Sequence, residues 1–268
     1  MLTEEDINFF RKNGYIIKKS SNIENIKHFK NIALNQAKKK LKISKNKIKL
    51  EKLHKFINLR ELNNFRINVY NEFNKNKNIS KLFYNSVKDV LDDLVGNELM
   101  MQKKINISFQ FPKDLSSNLP MHSDVIGDES PFEVVVWIPL VDVQPNSSSL
   151  FIVNPKNNKS IMSQVINTKK NSIEEIYKKN IKKFKFLKVT FGEVLYFSPI
   201  LLHGNTLNIS KFSRISLNCR FKSLLSPTEI IKKSTKNIPN FYKPINVKPM
   251  TKIGFNFLNK LDKNYYKK

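Results

Sequence analysis

The chain has 268 residues, of which 40% are hydrophobic and twenty are Phe, enough to fill a buried core and to exclude wholesale disorder. Its single cysteine, Cys219, excludes an intramolecular disulfide and a cysteine-based zinc site, and fits a reducing compartment. The net charge of +26 is carried mainly by lysines scattered in twos and threes, which reads first as the bias of an AT-rich genome and second as a surface for a polyanion.

The start of the chain, MLTEEDINFF, is acidic where a secretory leader is basic and then apolar. No apolar run approaches the roughly 18 residues that a membrane span requires. A cytoplasmic protein without a membrane span is therefore expected. Thr3 and Asp6 have capping-box spacing, and Gly14 is a good helix stop, so the chain opens with a helix. IENIKHFKNIALNQAKKKLK follows with Ile26, Phe29, Ile32 and Ala33 at helical spacing. ISKLFYNSVKDVLDDLVG is a further helix that ends at Gly96.

After Gly96 the period changes to two. KINISFQF sets Ile105, Ile107, Phe109 and Phe111 against Asn106, Ser108 and Gln110. FEVVVWIPL, SLFIV, IMSQVIN, FLKVTF, EVLYF, LLHGN and SRISLNCRFKSL are read as further strands, with NSIEEIYKKN the one helix among them. Helices first and many short strands after predict a mainly β fold, an antiparallel barrel or sandwich buttressed by α-helices. One domain is expected over 1–268, with 1–98 mostly helical, 99–225 the β core and 226–268 a basic tail.

LPMHSDVIGDESP places His122 and Asp124 one residue apart. On a strand, residues i and i+2 share a face, so the pair supplies two of the three ligands of a 2-His-1-carboxylate triad. LLHGN offers His203 as the third ligand, whereas His28 and His54 lie in lysine-rich segments with no carboxylate placed to complete a site. Beyond it, Arg214, Ser216, Asn218 and Arg220 share one strand face, with Ile215, Leu217, Cys219 and Phe221 on the other. Two arginines opposite an apolar face suit a polar interior that clamps a carboxylate; the competing reading is a solvated strand face.

MHSD, LLHGN and Arg214 eleven residues past His203 resemble the Fe(II)/2-oxoglutarate dioxygenases, specifically the phytanoyl-CoA-hydroxylase-like branch. LTEEDINFFRKNGYIIKK, VVVWIPLVDVQPNSSSLFIVNPKN and FGEVLYFSPILLHGN are similar to that branch too, so the resemblance runs from Leu2 to about Leu224. HSDVIGDESPFEVVVWIPLVDV and FSRISLNCRFK are most similar to a group from bacterial carbohydrate gene clusters, related to a streptomycin-biosynthesis oxygenase. The segment NSSSLFIVNPKNNK departs from the branch, keeping only Pro155 of its usual turn after the second core strand.

The resemblance implies a double-stranded β-helix, a jelly-roll or cupin-like barrel, with His122, Asp124 and His203 binding Fe(II). It implies 2-oxoglutarate and O2 as co-substrates, with Arg214 on the far carboxylate of 2-oxoglutarate. Asn205, Gln110 and Ser108 are candidates to help hold it, ordinary interior hydrogen bonding being the other reading of Gln110 and Ser108. Arg220 repeats a spacing seen in the nucleic-acid dealkylases of the superfamily, and is expected to orient Asp124 or the near carboxylate, or to face the substrate. Glu133 and Trp137 share strand parity and are candidate substrate contacts, Trp137 in the core being an equal reading; Tyr196 reads as core. The retained Asp124 argues against the halogenase variant. The implied activity is hydroxylation of a carbohydrate-linked or other small metabolite, an anionic one suiting the positive charge. A nucleic-acid dealkylase and a non-catalytic cupin-like binding protein are the alternatives. Oligomeric state is not fixed by the sequence.

Overall fold

The structure is a computed structural model describing residues 1–41, 48–127, 129–145, 147, 150–168, 172–226 and 241–265, with side chains described as far as 257. Four helices come first: α1 (Glu4–Asn13), α2 (Ile23–Leu41), α3 (Leu59–Lys75) and α4 (Ile79–Val95). Thr3 and Asp6 close the predicted capping box on α1, and Gly14 ends it at φ 71°, a left-handed conformation that glycine adopts without strain. The helix α3, which the sequence reading passed over, buries Leu62, Phe65, Val69 and Phe73 along one stripe.

Strands β1 (Tyr15–Lys19), β2 (Leu99–Gln102), β3 (Asn106–Gln110), β4 (Glu133–Pro139), β7 (Glu193–Phe197), β9 (Arg214–Ser223) and β10 (Tyr242–Asn246) form one antiparallel sheet. Its order is β1-β7-β4-β9-β2-β10, with β3 also paired to β9. A smaller antiparallel sheet runs β6 (Phe184–Phe186), β5 (Leu150–Val153), β8 (His203–Asn205). The outer face of the larger sheet carries Val134, Val136, Ile215, Leu217, Cys219 and Phe221, packed with Phe29, Phe65, Phe83 and Val87 of the helices. Its inner face joins Tyr15, Val135, Trp137, Leu195 and Phe197 to Leu150 and Ile152 of the smaller sheet. Every residue of β4 is buried, because both faces are covered.

Three readings are corrected. IMSQVIN is not a strand but the end of α5 (Pro155–Ile166), which Asn154 caps through Lys156 N at 3.2 Å and which has Pro155 in its first turn. Its Ile and Val look strand-like, but Ile161 and Val165 are spaced i, i+4 and pack under the smaller sheet. NSIEEIYKKN is helical as expected, over α6 (Ile173–Asn180), which makes α5 a second helix among the strands. FLKVTF contributes only its Phe186 to β6, followed by an isolated bridge from Val189 to Val143. Third, 226–268 is more than a tail, for β10 adds an edge strand beside β2 and α7 (Pro249–Tyr265) follows.

Candidate metal centre

His122 and His203 face each other in an antiparallel bridge with reciprocal backbone hydrogen bonds, His122 N to His203 O at 2.9 Å and His203 N to His122 O at 2.8 Å. His122 is therefore not on a regular strand, and Asp124 opens a 3-10 turn, Asp124–Gly127. That is a correction to the strand-end placement of the pair. The turn is tied down by Ser123 Oγ, which donates to Pro199 O at 2.9 Å. Gly204 lets two chain segments meet closely. A Cβ there would lie 2.8 Å from Leu119 O and 3.0 Å from Pro120 O, so a side chain would push the His122 segment away from His203.

Each imidazole is oriented by the backbone two residues before it. His122 Nδ1 contacts Pro120 O at 2.8 Å, and His203 Nδ1 contacts Leu201 O at 2.9 Å. A carbonyl only accepts, so both Nδ1 atoms carry a proton, which in a neutral imidazole puts the lone pair on Nε2. Those Nε2 atoms lie 3.6 Å (His122) and 4.0 Å (His203) from Asp124 Oδ1. The three ligand atoms are all within 4.8 Å of one another. The other carboxylate oxygen, Asp124 Oδ2, is buried without a hydrogen-bond partner among the described residues. Such an orphaned oxygen beside two free imidazole nitrogens fits a divalent cation held by two nitrogens and a carboxylate. The His122 side chain is 34% exposed, against 5% for His203, so the centre is open on the His122 side.

Electrostatics favour the ligating forms. Burial pushes Asp124 up, but His122, His203 and Arg220 outweigh it and hold the carboxyl well below the usual range. Burial lowers His203 to about 4, which keeps its imidazole neutral. Arg220 Nη2 lies 3.0 Å from Asp124 Oδ1, and its Nη1 lies 3.6 Å from Glu129 Oε1.

The inner face of β9 lines up the rest. Arg214 is 3% exposed, donates from Nη1 to Ser216 Oγ at 2.8 Å, and stacks its guanidinium over Trp137 at 5.5 Å from the ring centre. Burial draws its pKa down to about 9, which still leaves it charged at neutral pH. Gln110 stands opposite Arg214 and Ser108 opposite Ser216 across the β3–β9 pair, so both share this face. Gln110 donates from Nε2 to Ser117 O at 2.6 Å. Asn205 is laced to the approach of His122, its Oδ1 accepting from Leu119 N at 2.9 Å. Trp137 stands beside Asn218 and Glu133 beside Lys222, so both candidates fall on the same inner face. Tyr196 is in the helix-side core instead, and His54 binds Ser213 Oγ at 2.9 Å, away from the triad.

Sequence reasoning missed Gln102 and Tyr242. Tyr242 comes from β10, and its hydroxyl donates to Glu133 Oε1 at 2.5 Å. Burial raises Glu133 to about 7. Besides Asp124 Oδ2, the buried side-chain atoms without partners among the described residues are Gln102 Oε1, Glu133 Oε2, Asn218 Oδ1 and Arg220 Nε. The inward alternation of β9 marked Asn218 and Arg220, but LMMQ and YKPIN carry no comparable signal.

No family model matches the sequence, and no curated protein matches it either. Solved structures do. SnoK, a non-heme alpha-ketoglutarate-dependent carbocyclase from nogalamycin biosynthesis, is 13% identical with a TM-score of 0.53, over 92% of this chain and 94% of that one. EctD from S. alaskensis, solved with 2-oxoglutarate and 5-hydroxyectoine, is 14% identical with a TM-score of 0.57, over 85% of this chain and 78% of that one. HygX from Streptomyces hygroscopicus, with nickel and 2-oxoglutarate bound, is 14% identical with a TM-score of 0.52, over 86% of this chain and 90% of that one. The antiparallel sheets and helices described above are thus a fold this chain shares with a non-heme alpha-ketoglutarate-dependent carbocyclase and with proteins solved with 2-oxoglutarate, one of them also with nickel.

Proposed function

We propose that this chain is an Fe(II)- and 2-oxoglutarate-dependent oxygenase that hydroxylates a small metabolite in the cytoplasm. In this reading it is one catalytic unit on a double-stranded β-helix, of the phytanoyl-CoA-hydroxylase-like branch. The observation that carries the reading is the pair of Nε2 lone pairs, each freed by its own Nδ1–H bond to a carbonyl, beside the orphaned Oδ2 of Asp124. His122, Asp124 and His203 would hold the metal and leave coordination positions open. Iron(II) held there, with 2-oxoglutarate and O2 as co-substrates, supplies oxidation of an unactivated C–H bond with release of succinate and CO2.

The protein's own groups set the frame for that chemistry. Arg214, buried at the start of β9 and stacked on Trp137, would take the far carboxylate of 2-oxoglutarate. Gln110 and Ser108, opposite Arg214 and Ser216, would flank that end of the co-substrate, while Asn205 accepts from Leu119 N on the approach to His122. Arg220 holds Asp124 in its ionised, ligating form. Arg220 meets Asp124 and Glu129, a placement that leaves the paired arginines neutral between this reading and the nucleic-acid dealkylase one. A sugar-linked substrate rests on the resemblance of HSDVIGDESPFEVVVWIPLVDV alone.

The test is an anaerobic titration of metal-free protein with Fe(II) and then 2-oxoglutarate. The expected result is the weak visible charge-transfer band of a chelated 2-oxoglutarate, lost in Arg214→Ala at the same ligand concentration while Fe(II) binding persists. No band and no tight Fe(II) binding would overturn the proposal and leave a cupin-like binding protein.

A further inference from the structure

Orphaned buried polar atoms are rare in folded proteins, because each costs about 1–3 kcal/mol when it lacks a partner. Here those outside the metal triad fall on one continuous surface, the inner face of β4, β9 and β2. Asn218 lies on the Arg214 side of Arg220. Arg220, Glu133 and Gln102 lie toward the other end, next to Tyr242. The register fixes this: Val135 stands beside Arg220, Glu133 beside Lys222, Met100 beside Lys222, and Gln102 beside Tyr242. The tyrosine side chain reaches from the edge strand across Gln102 and β9 to Glu133.

The partnering of Glu133 is lopsided. Its Oε1 accepts from the Tyr242 hydroxyl at 2.5 Å and from Ser130 N at 3.3 Å, while Oε2 accepts from none of the described residues. The side chain is 4% exposed, and so is that of Gln102, whose Oε1 is likewise unpartnered. The cation on the neighbouring strand does not fill the gap. Lys222 donates from Nζ to Ser226 O at 3.3 Å and sits over the Tyr242 ring at 5.3 Å. Two acceptors thus await donors, and one donor, Arg220 Nε, awaits an acceptor, all beside the group that holds Asp124.

An ammonium has three donors and no acceptor, so it can fill two acceptors and neutralise a buried carboxylate at once. A neighbouring hydroxyl oxygen would accept from Arg220 Nε. We propose that Glu133 and Gln102 form the recognition site for a protonated amine on the substrate, with Arg220 Nε taking an adjacent hydroxyl, so that the substrate carries an amino-alcohol unit. Tyr242 is a positioning residue that holds Oε1 and leaves Oε2 for the ligand. Burial raises Glu133 to about 7, and a cation at Oε2 offsets that burial by favouring the carboxylate. This inference rests on the oxygenase reading for its place beside a metal, and it names the substrate class for that site. It also runs against the anionic substrate that the net charge of +26 suggests.

Three small probes of one carbon skeleton test it: 3-amino-1,2-propanediol, glycerol and glycerol 3-phosphate. Their binding is measured by calorimetry on the full chain loaded with Mn(II) and 2-oxoglutarate, and again without either. The amine is expected to bind about tenfold or more tighter than glycerol, with the phosphate weakest. Glu133→Gln should bring amine and glycerol within about twofold of each other. If that variant does not fold, Gln102→Met removes the second acceptor at nearly constant shape and should weaken the amine severalfold. Equal affinity for amine and glycerol, tightest binding of the phosphate, a preference that survives both variants, or no binding by any probe would each overturn the proposal. Loss of Mn(II) and 2-oxoglutarate binding alone would sink the oxygenase reading instead, because the preference is also read on the unloaded protein.

Discussion

The two halves of the inner face of the larger sheet are made of adjoining strands and are both largely buried, yet they differ in kind. On β1, β7 and β4 the inward residues Tyr15, Leu195, Phe197, Val135 and Trp137 pack against the smaller sheet. On β9 and β2 they are Arg214, Ser216, Asn218, Arg220, Lys222 and Gln102. The first half gains about 25 cal/mol for each Å² of apolar surface it removes from water. The second gains little and keeps polar groups dry at a cost. The helix-packed core on the other side of the same strands sustains that cost. Stability and chemistry are thus divided between the two halves, and each half should respond to its own substitutions.

The most drastic expected effect is in the polar half. His203→Ala removes a buried ligand and should abolish retention of Fe(II) or Mn(II) through gel filtration, with the circular dichroism spectrum little changed. In the apolar half, Leu195→Ala should cost about 2–5 kcal/mol in chemical denaturation. It should leave metal affinity within error; a parallel loss of metal would break the division. Third comes a pH effect. Glu133, which faces Tyr242, Lys222, Arg220 and Glu129, has its pKa raised from 4.5 to about 7 by burial. The folded state then binds this proton more tightly than the unfolded one, so its contribution is present below pH 4.5 and is lost as pH rises through about 7. Metal-free protein should lose about 3 kcal/mol over that window from this group, and Glu133→Gln should flatten the denaturation profile there. The smallest effect is Arg220→Met. It keeps the bulk of the side chain, removes the partner of Asp124, and should weaken metal binding by about 10–100-fold.

The same division explains what could be read from the sequence. The alternation of β9 is legible because a half-polar, half-apolar strand has period two in its residues. The grouping of His122, Asp124 and His203 was visible, but their local backbone was not, since a bridge and a 3-10 turn leave no periodic trace. IMSQVIN misled because seven residues of mixed Ile, Val and polar types satisfy both periods; Asn154 and Pro155 upstream were the helix signal. YKPIN was hidden by its lysine and proline, which suit an edge strand as well as a tail. Gln102 and Tyr242 were out of reach because their roles arise from cross-strand neighbours far away in the chain.

The reciprocal bridge between His122 and His203 has a consequence for how the centre comes into being. Two ligands from distant parts of the chain are clasped by their own main-chain atoms, so neither imidazole can be in place until β8 has docked and a long loop has closed. The unfolded chain offers the metal no comparable partner. An ion that binds here therefore acts as a lock on the finished topology and draws every partly folded chain toward it by mass action.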